Sequence, residues 1–158
     1  MTQAPAAEFV HVFVGREGFG LFLQHRDNKP GIYEPGQLGT WGGSIELGET
    51  AVDAAIREAY EELNLRLLPR NLLHLGSLVF DSMDTIGVPL RKHIEAYLTV
   101  VPSRLNIPVR EGQGGITVFF GERLPAAPRL TRIVATEMLE YFPGSFPNVK
   151  DFLDEAAA

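Results

Sequence analysis

With 158 residues, 45% of them hydrophobic, the chain has the size of one ordinary domain and enough apolar content to bury a core. Its formal net charge of −6 gives no overall attraction to DNA, RNA or anionic lipid, so any phosphate ligand has to be held locally. The absence of cysteine excludes disulfides, thiolate zinc sites and a thiol nucleophile. The N-terminus MTQAPAAEFV lacks the basic segment and apolar run of a signal peptide, and no window approaches about 18 consecutive apolar residues. These features read as a cytoplasmic protein with no membrane and no nucleic-acid polymer among its partners, acting as a monomer or homodimer.

In chain order, Glu8 to Val14 and Gly20 to His25 read as two short strands, joined through Gly15 to Phe19, whose glycines suit a hairpin turn. The stretch from Arg26 to Thr40 carries two prolines and three glycines, which rules out a helix or a central strand. Loops of such length in compact domains are usually functional or disordered. A helix follows Gly48-Glu49. Strands are then expected at Leu72 to Phe80, His93 to Val101 and Ile116 to Phe120, a second helix from about Leu130 to Phe142, and a short helix near Asn148. No repeat or linker divides the chain, so residues 1–158 form a single α/β unit.

The first helix is defined in detail. Thr50 is its expected N-cap, with Asp53 three residues on, close to a capping box. Val52, Ala55, Ile56, Ala59 and Leu63 recur at helical spacing and make an apolar stripe. Glu58, Glu61 and Glu62 fall within an arc of roughly 100° away from that stripe, which predicts three carboxylates side by side in solvent. Asn64 suits a left-handed residue at the helix end. Read alone, REAYEEL is a solvated acidic face. Against that, Glu58 meets Glu62 and Glu61 meets Leu65 four residues on, and within the helix Arg57 relieves Glu61 at best. A hard divalent cation would relieve the repulsion, because Mg²⁺ is bound by a few carboxylates together with substrate phosphates.

Gly43, five residues, Glu49, seven residues, then Arg57-Glu58-Ala59-Tyr60-Glu61-Glu62 resembles the Nudix box. Six fixed matches of this kind arise by chance on the order of a few times per million sequences. Ala59 stands where the motif has a larger aliphatic residue, and Asn64 where it has glycine. The resemblance implies a Nudix α/β/α sandwich with a central mixed β-sheet. It implies further that Glu58, Glu61 and Glu62 hold Mg²⁺ or Mn²⁺ with the help of the Gly43 carbonyl, and that Glu49 and Arg57 pair to fix the loop to the helix. MutT-like members have Glu-Gly-Gln in a late loop that adds a carboxylate to the metal site, and Glu111-Gly112-Gln113 matches it here.

The activity implied is hydrolysis of a diphosphate linkage by metal-activated water, without a covalent intermediate. The expected substrate is a nucleoside diphosphate linked to a group X, such as a nucleoside triphosphate or a similar small nucleotide. Nucleotide sugars, dinucleoside polyphosphates and non-nucleotide diphosphates are the alternatives within the fold, and a nucleotide-binding sensor without turnover is the alternative outside enzymology. Outside the acidic helix, Arg26 ends a strand at the mouth of the long loop, where a guanidinium can grip phosphate. Trp41 beside Gly42-Gly43 is a candidate for stacking on a base, or else a core aromatic. His93 and Glu95 are weaker candidates, since alternation also explains them, and Arg16, Phe19 and Tyr33 have only their loop positions. The segment PAAPRLTR lacks the asparagine by which MutT-like relatives read a purine, which argues against oxidised-guanine specificity.

Overall fold

Val10, Val12 and Val14 on one side of the first strand and Phe13 on the other have no exposed surface. A strand buried on both faces has to lie inside a sheet, and that requirement organises the molecule. The structure is a computed structural model, and it describes residues 6–30, 36–83, 86–110, 112 and 114–119. The first strand, β1 (Ala6–Arg16), pairs along its whole length with β6 (Pro89–Val101), in parallel, from Ala6 opposite Arg91 to Arg16 opposite Val101. β5 (Leu73–Met83) completes that side as an antiparallel neighbour of β6.

The other edge of β1 is shared. Its first half pairs with β4 (Trp41–Ser44), and its last residues, Val14 to Arg16, pair with β2 (Gly20–His25). The sheet therefore forks past Val12, and β2 goes on to pair with β3 (Leu38–Gly39) and with β7 (Gly114–Phe119). Two side chains close the fork. The Thr40 hydroxyl donates to the Val12 carbonyl at 2.7 Å, and the Trp41 indole N–H donates to the Phe22 carbonyl at 2.9 Å while its ring stacks on Phe22. Both satisfy polar groups that the splitting of the ladder would otherwise strand in the core.

Helix α1 (Ala51–Leu63) covers one face of this mixed sheet, with Ala54, Ala55 and Leu63 packed among Val10, Val12, Val14, Trp41 and Tyr97. The strands at Gly20 to His25 and His93 to Val101 fall where the alternation put them, the latter extended to Pro89. β3 and β4 were not anticipated: each is too short and too rich in glycine to alternate. The expected helices near residues 130–142 and 148 lie outside the described residues. Among the described residues, no helix is long and apolar enough to cross a membrane.

Candidate functional site

Helix α1 is anchored at both ends as its sequence requires. The Thr50 hydroxyl accepts from the Asp53 N–H at 3.1 Å, and Asn64 stops the helix in a left-handed conformation at φ 54° and ψ 26°. Its last two turns then lie against β4 at the fork, and there the three glutamates part company.

Glu62 is 3% exposed, against the expectation of a solvent-side carboxylate. It follows Ala55 by two turns, and seven residues at about 100° each return it to within about 20° of that buried position. Burial of a carboxylate requires hydrogen bonds, and two are supplied. The Gly42 N–H donates to Oε1 at 2.7 Å and the Gln24 amide donates to Oε2 at 3.4 Å. Gly42 is able to turn its N–H towards the helix because it sits at φ 132°, where any Cβ would collide with the Val10 carbonyl.

Glu58 and Glu61 meet a different partner. Arg57 Nη1 lies 3.0 Å from Glu58 and 3.2 Å from Glu61, while its Nε and Nη2 grip Glu49 at 2.8 and 3.0 Å. Glu46 stands at 3.9 Å, and Nη2 also donates to the Ser44 carbonyl at the end of β4. Spacing of four residues undercounted this relief, because Arg57 also reaches the adjacent Glu58, and it missed Glu46 and Glu49 as further partners because they belong to the preceding loop. The Arg57 hydrogen bonds hold the Glu49 carboxyl below the usual range, and the Glu49 bond in turn pushes the guanidinium up. The expected Glu49–Arg57 pair is thus formed, and it ties loop, strand and helix together.

Gly43 follows Gly42 on β4, and a Cβ there would run into the Glu58 carboxylate, so the strand backbone faces the acidic helix directly. Trp41 is fully buried and offers no face to a base, which corrects its place among candidate substrate contacts. Arg26, at the end of β2, is partly buried and lies against Gly39. Glu111 lies outside the described residues, as does Tyr33. Arg16 is engaged by the Ser103 and Leu105 carbonyls and by the Phe22 ring, a structural role, and Phe19 packs edge-on against Phe119.

His93 and Glu95 lie on β6 and line a hollow that they share with Glu49. Glu95 accepts from Ser77 at 2.7 Å and contacts His74 and His93 at 2.6 and 3.3 Å, beside a hollow lined by Glu8, Ile45, Glu49 and Ala51. Burial raises its pKa, but Ser77, His74 and His93 outweigh that and leave the carboxyl below the usual range. Gln24 was missed from sequence, although an amide in the otherwise apolar run GLFLQH was the available signal. Among the described residues, no three acidic or histidine side chains are already arranged to hold a metal ion, and Arg57 stands between the outer carboxylates.

A model of the NUDIX domain matches residues 4–114. Among curated proteins, the m7GpppN-mRNA hydrolase NUDT17 of Danio rerio is 38% identical over 73 residues, which cover 44% of this chain and 24% of that protein. Its Xenopus laevis counterpart is 36% identical over 72 residues, with the same two shares. The chain thus spans about a quarter of the length of the curated relatives it matches. Of solved structures, a MutT NUDIX hydrolase from Burkholderia pseudomallei superposes with a TM-score of 0.65 at 21% identity, covering 83% of this chain and 96% of that one. A MutT protein from Methanosarcina mazei gives 0.63 at 14% identity over 99% of both chains. At these identities the structural likeness speaks for the fold.

Proposed function

This chain belongs to the NUDIX family, its domain model taking in residues 4–114, and on that footing we propose that it is a Mg²⁺-dependent hydrolase of diphosphate linkages. The substrate class is a nucleoside diphosphate linked to a group X, a nucleoside triphosphate or a similar small nucleotide, met in the cytoplasm. The observation that carries this reading is the buried Glu62 carboxylate, which accepts from the Gly42 N–H and the Gln24 amide, next to two further carboxylates on the same helix. Burying one carboxylate beside two others on the same helix costs folding free energy, and an incoming cation offsets that cost.

The donor set fits a hard cation. It consists of oxygen alone, from Glu58, Glu61 and Glu62, with Gly43, packed against Glu58, adding its carbonyl as the family resemblance implies. Mg²⁺, or Mn²⁺ in its place, bound there would neutralise charge on the phosphate oxygens and lower the pKa of a coordinated water. The chain's own contribution is orientation. Gly42 and Gln24 aim Glu62, Glu49 and the Ser44 carbonyl aim Arg57, and Arg57 spaces Glu58 from Glu61. Glu111, or one of the helix glutamates, accepts the proton from the attacking water, and Arg26 at the end of β2 grips a phosphate oxygen.

The test is a panel of nucleoside triphosphates, nucleotide sugars, dinucleoside polyphosphates and a cap dinucleotide, assayed with Mg²⁺ and Mn²⁺ and with products identified. The cap compound belongs in the panel because the NUDT17 relatives are named for m7GpppN-mRNA hydrolysis. Metal-dependent release of phosphate, pyrophosphate or a nucleoside monophosphate is expected, and Glu61→Gln and Glu62→Gln should each remove most of it without unfolding the protein. Tight nucleotide binding with no turnover across the panel would replace this reading with the sensor.

A further inference from the structure

Strand β2 reads Gly20-Leu21-Phe22-Leu23-Gln24-His25, and its first five residues are buried. Gln24 is 5% exposed, and an amide buried that deeply destabilises a fold unless its polar atoms are used. Its cross-strand neighbours on both sides are glycines, Gly39 on β3 and Gly115 on β7. Neighbours opposite one another share a face of the sheet, so the residues directly across from the amide add no side chain of their own. The Phe22 ring and the Arg26 side chain lie over these glycines instead. From the helix side its Nε2 donates to Glu62 Oε2. On the loop side Gly112 packs so tightly that a Cβ would come within 3.3 Å of Gln24 Cγ and 3.4 Å of Nε2.

We propose that Gln24 is a positioning residue for metal binding: wedged between the Gly112 turn and Glu62, its neutral amide fixes the inner carboxylate without taking its charge. The inference rests on Glu62 being a metal ligand. The choice of amide has a chemical reason. A lysine or arginine at this place would hold the carboxylate as firmly but would neutralise it, and a cation arriving later would have to displace the protein's own. An apolar side chain would leave Oε2 without this donor and its orientation less tightly set. The amide avoids both faults. With the Gly42 N–H on Oε1 and Gln24 on Oε2, the plane of the carboxylate is set before any ion arrives. That is preorganisation of a ligand by its neighbours, as hydrogen-bond partners do around metal-binding histidines.

The experiment measures Mn²⁺ binding to the full chain without nucleotide, by the loss of the free-ion electron paramagnetic resonance signal, together with the metal-free thermal melt. Gln24→Met keeps the volume and removes the donor. It should weaken Mn²⁺ binding about 3- to 10-fold, while Glu62→Gln weakens it at least as much. Unchanged affinity in Gln24→Met beside a clear loss in Glu62→Gln overturns the positioning role and leaves the metal reading standing. Unchanged affinity in Glu62→Gln overturns both. A Gln24→Met protein that melts lower but binds Mn²⁺ as the parent does has lost packing only, which also overturns the proposal. Should Gln24→Met fail to fold, Gln24→Lys decides the matter. Its ammonium should pair with Glu62 and preserve the fold, and Mn²⁺ binding should fall more than 10-fold. Parent-like binding in that variant would show that residue 24 does not govern the carboxylate.

Discussion

Glu61 and Glu62 are adjacent, identical in chemistry and placed in opposite surroundings. Glu62 is buried and receives its hydrogen bonds from a backbone N–H and a side-chain amide, whereas Glu61 is 54% exposed and answers to a guanidinium. The helix does not make this difference. The strands do, because the fork in the sheet brings Gly42 and Gln24 under one carboxylate and leaves Arg57 among the others. On the proposed metal reading, the inner carboxylate is oriented by Gly42 and Gln24, while the outer pair is shared between Arg57 and any ion that arrives.

The strongest way to break this distinction is to neutralise the two glutamates separately. Glu62→Gln should lower metal-dependent turnover of a confirmed substrate by about 10² to 10³-fold, and Glu61→Gln by less, because Glu58 and Arg57 remain to compensate. Equal losses in steady-state rate would mean that burial confers no special role. Removing the outer organiser tests the other side. Arg57→Met releases Glu49 and the Ser44 carbonyl, so the metal-free thermal midpoint should drop by several degrees, while Mn²⁺ affinity without nucleotide does not fall with it. An affinity that fell in parallel would assign Arg57 to the metal site itself. A smaller effect is expected from Gly43→Ala, whose methyl would displace the Glu58 carboxylate and reduce turnover about 10-fold with little change in melting.

The smallest effect concerns pH. The Glu49 carboxyl is held low by Arg57, so the folded state gives up its proton more readily than the unfolded chain does. Its stabilisation is therefore complete above the ordinary carboxylate pKa of about 4.3 and is lost as pH falls through the lower folded value. Glu49→Gln should melt below the parent at neutral pH, and the two melting curves should converge in acid. A gap that stayed constant to pH 3 would exclude the ion pair as its origin.

Much of this arrangement was legible in the residues. Thr50 and Asn64 marked the helix ends through their backbone chemistry, and the spacing from Gly43 to Glu62 named the family. The surroundings of Glu62 were not legible, because a helical wheel fixes direction but says nothing of what lies in that direction. Its seven-residue distance from Ala55 placed it at the rim of the buried face, and only the fork decided that the rim would be covered. β4 was hidden because Trp-Gly-Gly-Ser has no alternation to read, and its pairing is stabilised from outside by Trp41 and Thr40. The Glu49–Arg57 bond came from the family resemblance, since a pair eight residues apart spans the loop as well as the helix.

The parallel pairing of β1 with β6 has a consequence for how the chain is made. Every partner in that ladder stands about 85 residues further along the sequence. On a ribosome adding roughly 5–20 residues per second, the strand Val10 to Val14 emerges several seconds before β6 exists to cover its edge. In that interval a segment buried on both faces of the finished domain waits as an unpaired template for other chains, and β2 and β4, translated soon after it, are its earliest cover. Yield during synthesis should therefore depend on how early that hairpin closes, a property that no measurement on the finished protein would reveal.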